Sequence, residues 1–460
     1  MLTRRDLIHS RQFLQRRLHT ALVAHRPDPL EWSGTRLPGV TLATVMLVVI
    51  CLAGAGIYGY FRPAGAKSWT ACNRVIIEKE TGSAYVCDGE TLYPVLNFSS
   101  AALLRGLGDP PVSVARASLT WPRGQAVGVP GAPNAVPAAG GLLTGPWSFC
   151  MRPAGSGTPA RSVVVVGERV AAGAPLGDEV VAVFDPVQQQ LSVIHKGRRH
   201  AVTNREVVTA ALAVTTRDVV TVSSDWLATL PVGPSLGEIN IAGRGGAVDR
   251  LPGAQVGQLL VSTVAGNTLR YVARPAGVQP ITALQEALIR ATAKDTAPST
   301  VVNPVQLAGA AILEPLAAAA LGDGAVPPVV TAARSRGAVC QIITGGGDER
   351  EISVGAVPEA RTAVTQSSGG VNAAGTLLAD EVLVAPGRGA LVMAQPSPTA
   401  DAGPVYLVTE TGRRYPIVSA TALERLGLSG TAVVRMPSTL VERLAQGPAL
   451  DAMNMVSTVP

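Results

Sequence analysis

Apolar positions fall into three patterns along the chain. Between Val40 and Phe61 they form an unbroken block, VTLATVMLVVICLAGAGIYGYF, 22 residues without a charged side chain. At about 1.5 Å per residue such a helix covers roughly 33 Å, enough for a hydrocarbon layer about 30 Å thick. The block predicts a membrane helix over 37–61. A secretory leader has an apolar region of about 7–15 residues behind a short basic start. Here 36 residues precede Leu37, and Tyr58, Tyr60 and Phe61 close the block, so a retained anchor is expected.

Upstream the period is helical. Leu7, Leu14, Leu18, Ala21 and Leu22 fall in one stripe, with Arg5, Gln12, Arg16 and His19 opposite and Arg11 interrupting the stripe. Pro27 and Pro29 end this helix. Two readings stand side by side: a basic helix lying on anionic lipid, and a docking helix presenting Leu7, Leu14, Leu18 and Leu22 to a cytoplasmic partner. Inside the span, Ala55 and Gly59 form a small-xxx-small pair that permits close helix approach. The alternative is an ordinary lipid-facing helix, the plain reading for Met46, Val49 and Leu52.

Downstream the pattern changes to short runs separated by turn residues. Four segments share a strand, a Gly turn, a second strand and a helix containing Ala-Leu. They are Tyr85-VCDGETLYPV before Ala102-Leu103, Leu191-SVIHKGRRHAV before Ala211-Leu212, Tyr271-VARPAGVQPI before Ala283-Leu284, and Tyr406-LVTETGRRYPI before Ala422-Leu423. Leu191 and Tyr406 lie 215 positions apart; Leu230-PVGPSL and Leu444-AQGPAL, which share Leu-x-x-Gly-Pro-x-Leu, lie 214 apart. Two matches at nearly one offset argue for duplication. Between the repeats, Ser162-VVVVG, Val180-VAVF, Leu259-LVST and Val382-LVAPGRGALVM read as buried strands. Gly124–Gly141 reads as a Pro/Gly/Ala linker and Ser367-SGGVNAAGT as a flexible stretch. No second span follows, since Glu314 and Pro315 interrupt the apolar run 305–320. The expected fold is α+β: one N-terminal transmembrane helix, then an elongated external domain of four small hairpin-plus-helix repeats around a central β domain. The parts are a cytoplasmic segment 1–36, the span 37–61 and a body 62–460, with repeats near 72–108, 185–236, 259–295 and 400–450.

Charge sets the orientation. Residues 1–36 carry Arg4, Arg5, Arg11, Arg16, Arg17, Arg26 and Arg36 against Asp6, Asp28 and Glu31, while the far side offers Arg62 and Lys67 nearby. The positive-inside rule puts the N-terminus in the cytoplasm and the body outside. The net charge of +6 is thinly spread, which argues against nucleic acid as a partner. Cysteine use agrees with an oxidising compartment, because Cys72, Cys87, Cys150 and Cys340 all lie beyond the span and Cys51 lies within it. Three pairings are open. A hairpin turning at Glu80-Thr81-Gly82 brings Cys72 and Cys87 nearly opposite each other, which leaves Cys150 with Cys340. That second bridge closes a loop of about 190 residues, about 4–5 kcal/mol on the chain-entropy account.

Reactive chemistry leaves no mark. The sequence contains no Gly-Lys dipeptide, which a P-loop requires. Beyond the span the histidines are His195 and His200 alone, too few for a zinc helix. No GxSxG elbow accompanies them, and both read as solvated turn residues. No cofactor or metal site is expected.

Taken together, RRDLIHSRQFLQRRLHTALVAHRPDPL before the span, FRP after it, TGSAYVCDGETLYPVLNFSSAALL, GPWSFC, VLVAPGRGALV and RLAQGPALD resemble the EccB family, membrane components of actinobacterial type VII (ESX) secretion systems. The resemblance covers nearly the whole chain in motif order. It implies a periplasmic domain of four repeats, similar to phage-lysin wall-binding modules, in pseudo-twofold order about a β centre. It also implies a non-enzymatic inner-membrane core subunit working with the ATPase EccC, with EccD and EccE, with further EccB copies and near a mycosin protease. Under it Leu7, Leu14, Leu18 and Leu22 face EccC or EccD. A bridge joining two repeat regions is typical of the family and fits Cys150 with Cys340, whereas Cys72 with Cys87 is a less general addition. Some members carry an ATPase label that these residues do not support. A module binding peptidoglycan through its repeats is the alternative function.

Overall fold

A computed structural model describes residues 3–24, 37–61, 68–107, 109–154, 159–170, 173–317, 321, 324–331, 334, 337–356, 364–366, 370–372, 374–452 and 456–457. Two helices come first, Arg4–Ala24 and Leu37–Phe61. Asp6 starts the first one by accepting from the Thr3 amide at 3.0 Å, which occupies one of the end groups a helix leaves unpaired. Among the described residues the second is the one helix long and apolar enough to cross a membrane.

The body repeats one unit four times. Each unit is a three-stranded antiparallel meander, a helix, and a fourth strand parallel to the first. The first unit uses strands Ile76–Glu78, Ala84–Asp88 and Thr91–Pro94, helix Phe98–Arg105 and strand Val112–Val114. The second uses Val180–Asp185, Gln190–His195, Arg198–Ala201, helix Arg205–Ala211 and Val219–Thr221. The third uses Leu259–Val264, Asn267–Arg274, Gly277–Ile281, helix Ala283–Ala293 and Thr300–Val301. The fourth uses Ala390–Gln395, Val405–Val408, Arg414–Ile417, helix Ala420–Arg425 and Val434–Pro437. Every helix begins on a short polar residue whose side chain accepts an amide three positions on: Asn97, Asn204, Thr282 and Ser419. Such caps close an orphan donor, and they recur because the crossover must start a helix directly out of a strand.

Each unit also contains a return segment that lies parallel to its third strand, at Arg123 beside Leu92, Val232 beside Arg199, Ile312 beside Val278 and Gln446 beside Arg414. In three of them the next residue is a glycine against a ring. A Cβ on Gly124 would lie 2.5 Å from Tyr93, one on Gly233 2.3 Å from His200, and one on Gly447 2.2 Å from Tyr415. The third unit has Gln279 at the position of the ring and Leu313 at the position of the glycine. The Gln279 amide donates to the Glu314 carbonyl at 3.0 Å. The unit is thus longer than the repeat windows expected from sequence, by a first strand in the second and fourth copies and by the fourth strand and the return segment in the first and third.

At the centre lies a seven-stranded sheet in the order Val364–Gln366, Glu381–Leu383, Arg161–Val165, Trp147–Arg152, Ala338–Ile343, Glu351–Ala356, Ala174–Pro175. In its middle Cys150 stands opposite Cys340, Phe149 opposite Gln341 and Met151 opposite Val339. An approximate twofold axis therefore passes through the cysteine pair. The outer strands are exchanged between halves. Ala174–Pro175 pairs with Glu351–Ala356, and Glu381–Leu383 pairs with Arg161–Val165.

Units two and four pack on this sheet and carry the other two units on their far sides. Val181, Val183 and Ile194 of unit two and Val392, Ala394 and Val408 of unit four join the core of Trp147, Phe149 and Ile343. Val180, Leu191 and Val193 point the other way, into the core shared with unit three, while Leu391 and Leu407 face unit one. Burial on both faces explains why Val180–Phe184 and Leu391–Ala394 run apolar without alternation; both belong to the units rather than to a separate β centre. After the fourth strand, Trp226 and Leu440 sit at matching positions, both fully buried against the sheet, and the Trp226 indole donates to the Phe149 carbonyl at 2.9 Å. Unit three has the exposed Gln306 there, so that copy has no such anchor.

His195 and His200 are not solvated turn residues: both are buried strand residues. The turn itself is only Lys196-Gly197, with φ of 45° and 72°. It rests on the Arg350 carbonyl, 2.0 Å from where a Cβ on Gly197 would be, which buries the strand end carrying His195. The His200 Nδ1–H donates to the Pro234 carbonyl at 2.8 Å. Burial pushes both imidazoles below the ordinary histidine range.

Gly447→Val lowers stability by about 1–3 kcal/mol through overpacking. The combination of Tyr415→Gln with Gly447→Leu, which copies the third unit, is more stable than the two single losses added together; urea unfolding of the four chains measures the coupling. For His200, the unfolded imidazole binds its proton near pH 6.5 and the folded one lower, so stability present above about pH 6.5 is lost as pH falls below it. His200→Gln flattens the loss of melting temperature between pH 7.5 and pH 5 relative to the native chain.

Candidate assembly surfaces

Hollows in the body are shallow. One of about 630 Å³ runs between helices Arg205–Ala211 and Ala283–Ala293 over Ala210, Ala287 and Ala291. At its rim Lys294 meets Glu206 at 3.2 Å, and Glu286 holds Arg270 at 2.9 Å and Arg290 at 3.1 Å. A second hollow of about 460 Å³ on unit two is lined by Asp185, Gln190, Ser192 and Arg199. Asp185 is engaged by the Val187 amide at 2.8 Å and the Ser224 hydroxyl at 2.5 Å. Among the described residues no group of His, Cys, Asp and Glu is arranged to hold a metal ion.

Buried charges act as ties between elements. Glu78, buried at the end of the first unit's first strand, accepts from the Tyr85 hydroxyl at 3.1 Å and from Arg123 of the return segment at 3.1 Å. Glu381 on an exchanged outer strand meets Arg152 at 3.2 Å and Arg161 at 3.5 Å, so it joins the two halves of the sheet. Asp225 and Arg443 are both buried at the sheet. Burial raises the Asp225 carboxyl above the usual range, partly offset by the Ser223 hydroxyl and by Arg443.

The four external cysteines lie in two pairs at bonding distance, Cys72 with Cys87 at 2.08 Å and Cys150 with Cys340 at 2.07 Å between sulfurs. Cys150 and Cys340 are neighbours across the central strands, 190 positions apart in sequence. Leu7, Leu14, Leu18 and Leu22 occupy helix Arg4–Ala24 and are 60–72% exposed. Ile8 and Phe13, which the stripe left out, are as open, at 54% and 49%, and Arg17 lies 5.7 Å over the Phe13 ring. An aromatic with an arginine four positions on is the signal that marks this second face. Ala55 and Gly59 stand one turn apart on the membrane helix. Sequence reasoning missed Trp69 and Trp121, whose rings meet edge to face at 4.7 Å where the chain enters unit one.

This architecture has counterparts among known proteins. Residues 1–458 match the family described as type VII secretion system ESX-1, transport TM domain B. Similar chains include the ESX-3 secretion system ATPase EccB3 of Mycolicibacterium smegmatis, 29% identical over 98% of this chain and 90% of that protein. The ESX-5 secretion system ATPase EccB5 of Mycobacterium tuberculosis is 28% identical over 100% and 94%. Among solved structures, a chain of an intact ESX-5 inner membrane complex superposes with a TM-score of 0.66 at 26% identity, covering 100% of this chain and 95% of that one. A chain of the EccB3 dimer from the ESX-3 core complex gives 0.63 at 25% identity, covering 84% and 100%. With the family match running over residues 1–458, this chain belongs to the EccB family of type VII secretion systems.

Proposed function

We propose that the protein is a non-enzymatic structural subunit of a type VII inner-membrane core complex. One observation carries this reading: the likeness to a chain of an intact ESX-5 inner membrane complex runs through the entire length, membrane helix and body together. The helix Leu37–Phe61 anchors it in the plasma membrane, with the arginine-rich N-terminal helix in the cytoplasm and the body on the periplasmic side. Leu7, Leu14, Leu18 and Leu22 dock to an EccC-like ATPase or an EccD-like membrane subunit. EccE-like subunits, further copies of this chain and a mycosin protease complete its neighbours, and Ala55 and Gly59 seat the span against another helix. Lipid contact surrounds that span. The relatives' ATPase names find no support in these residues, because the sequence has no Gly-Lys dipeptide for a P-loop, and Glu206, Arg270, Glu286, Arg290 and Lys294 around the 630 Å³ hollow pair with one another.

Affinity purification of the detergent-solubilised native complex tests the reading. Recovery of an ATPase and multi-span membrane subunits supports it, whereas recovery of the chain alone together with sedimentation on purified cell wall favours a peptidoglycan-binding module. Leu14→Glu with Leu18→Glu is expected to cut recovery of those subunits at least tenfold while the body's melting temperature stays within 1 °C or so of the native value, since the helix Arg4–Ala24 is outside the folded core. ATP turnover by the purified chain above the level of a buffer control, abolished by a point change in the body, contradicts the assignment.

A further inference from the structure

The passage from membrane to body is clamped in a way that no other unit's start is. Six residues, 62–67, separate Phe61 from Ser68, a reach of at most about 20–22 Å when extended. The chain then makes the short helical turn Ser68–Ala71, in which Trp69 is buried in the unit-one core with Ile76, Leu92, Val114 and Leu119. Immediately after it, Cys72 takes a left-handed conformation, with φ of 51°, and is joined to Cys87. Cys87 is fully buried on the strand Ala84–Asp88, which has a neighbour on either side, and its carbonyl accepts from Arg105 of the unit's helix. Only then does the first strand begin, at Ile76. Without the link, the segment 68–75 is held by the Trp69 ring, by Val75 buried beside Val86 and Ala101, by the Val75 carbonyl accepting from the Val112 amide at 2.9 Å, and by the Arg74–Asp109 pair, which is about half exposed. A segment held by a few such contacts at the margin of a unit opens before its central strands do.

Resting on the reading of Leu37–Phe61 as a membrane anchor, we infer that the Cys72–Cys87 bridge is a mechanical clamp, which fixes the tether length so that displacement of the membrane helix moves the body. Release of residues 68–75 adds eight residues of slack, about 26–29 Å, and more than doubles the tether. The bridge prevents this by passing load from Cys72 straight to a central strand. A loop of only 15 positions makes this position better suited to fixing a local geometry than to restraining the unfolded chain at long range.

The test uses the full chain in lipid nanodiscs, read by amide hydrogen exchange and by stretching between handles at the N-terminus and the C-terminus. In the Cys72→Ser/Cys87→Ser variant, exchange across 68–75 rises at least tenfold while 84–88 and 91–94 keep their protection. An early extension step of at most about 26–29 Å also appears that the oxidised native chain lacks. Trp69→Ala with the bridge intact shows no such step. The inference is overturned if the serine variant protects 68–75 as the native chain does, if it loses protection across the whole first unit, or if Trp69→Ala alone releases the step. Failure of the membrane topology is read separately, by labelling of the N-terminus in intact cells, and leaves the exchange result unaffected.

Discussion

The exchange of outer strands across the central sheet is the constraint on which the rest of the body depends. Ala174–Pro175 cannot pair until Glu351–Ala356 is in place, and Glu381–Leu383 needs Arg161–Val165. Neither half completes its own sheet, so the two must fold as one. The partners are roughly 200 positions apart, and contacts of that separation form late because closing the loop comes before any gain from pairing. Cys150 and Cys340 lie in the middle of this exchange, and Glu381 fixes one outer strand to two arginines of the opposite half. Units two and four then find a preformed apolar floor on which Trp226 and Leu440 settle, and the outer units find theirs on those two.

The four units show how one topology is adapted to four surroundings. The elements that define the unit itself stay constant: a polar cap before the helix, the parallel fourth strand, and a return segment beside the third strand. The residues that look outward change with what they meet. Trp226 and Leu440 meet the sheet, Gln306 meets water, and in unit one Trp121 meets Trp69 from the tether. The third copy has also changed the ring-and-glycine contact as a pair, Gln279 with Leu313. That is the signature of a packed contact, since either change alone leaves a gap or a clash.

This division also decides what the sequence discloses. The membrane helix is legible because it needs nothing but length and apolarity. The meander and helix of each unit are legible because the turn glycines and the caps are local signals. The first strands of units two and four were not recognised as part of the units, because strands buried on both faces lose the alternation that marks a repeat. The strand exchange has no local signal at all. His195 and His200 were misread because Lys196-Gly197 is a turn dipeptide of a kind normally found in solvent, and nothing local reveals that the turn rests on Arg350. The candidate contact residues Leu7, Leu14, Leu18 and Leu22 are readable as a stripe, but a stripe specifies a face and not its occupant. Ile8 and Phe13 show that the exposed apolar surface of that helix is wider than the stripe.

The composition has a structural reading. Only 4% of the residues are aromatic, and there are five tryptophans; Trp32 lies outside the described residues, and the other four stand at joints. Trp69 and Trp121 join the tether to unit one, and Trp147 and Trp226 join the sheet to unit two. Large rigid side chains remove the most water per residue and have few torsions to lose, so a chain built largely of Ala, Val and Gly places them where separate elements must not slide. Within each unit, hydrogen-bonded strands supply the stiffness without them. A body assembled in this way resists shear at its junctions more than its small side chains suggest, which is the mechanical property a subunit needs when its work is to hold neighbours at fixed spacing.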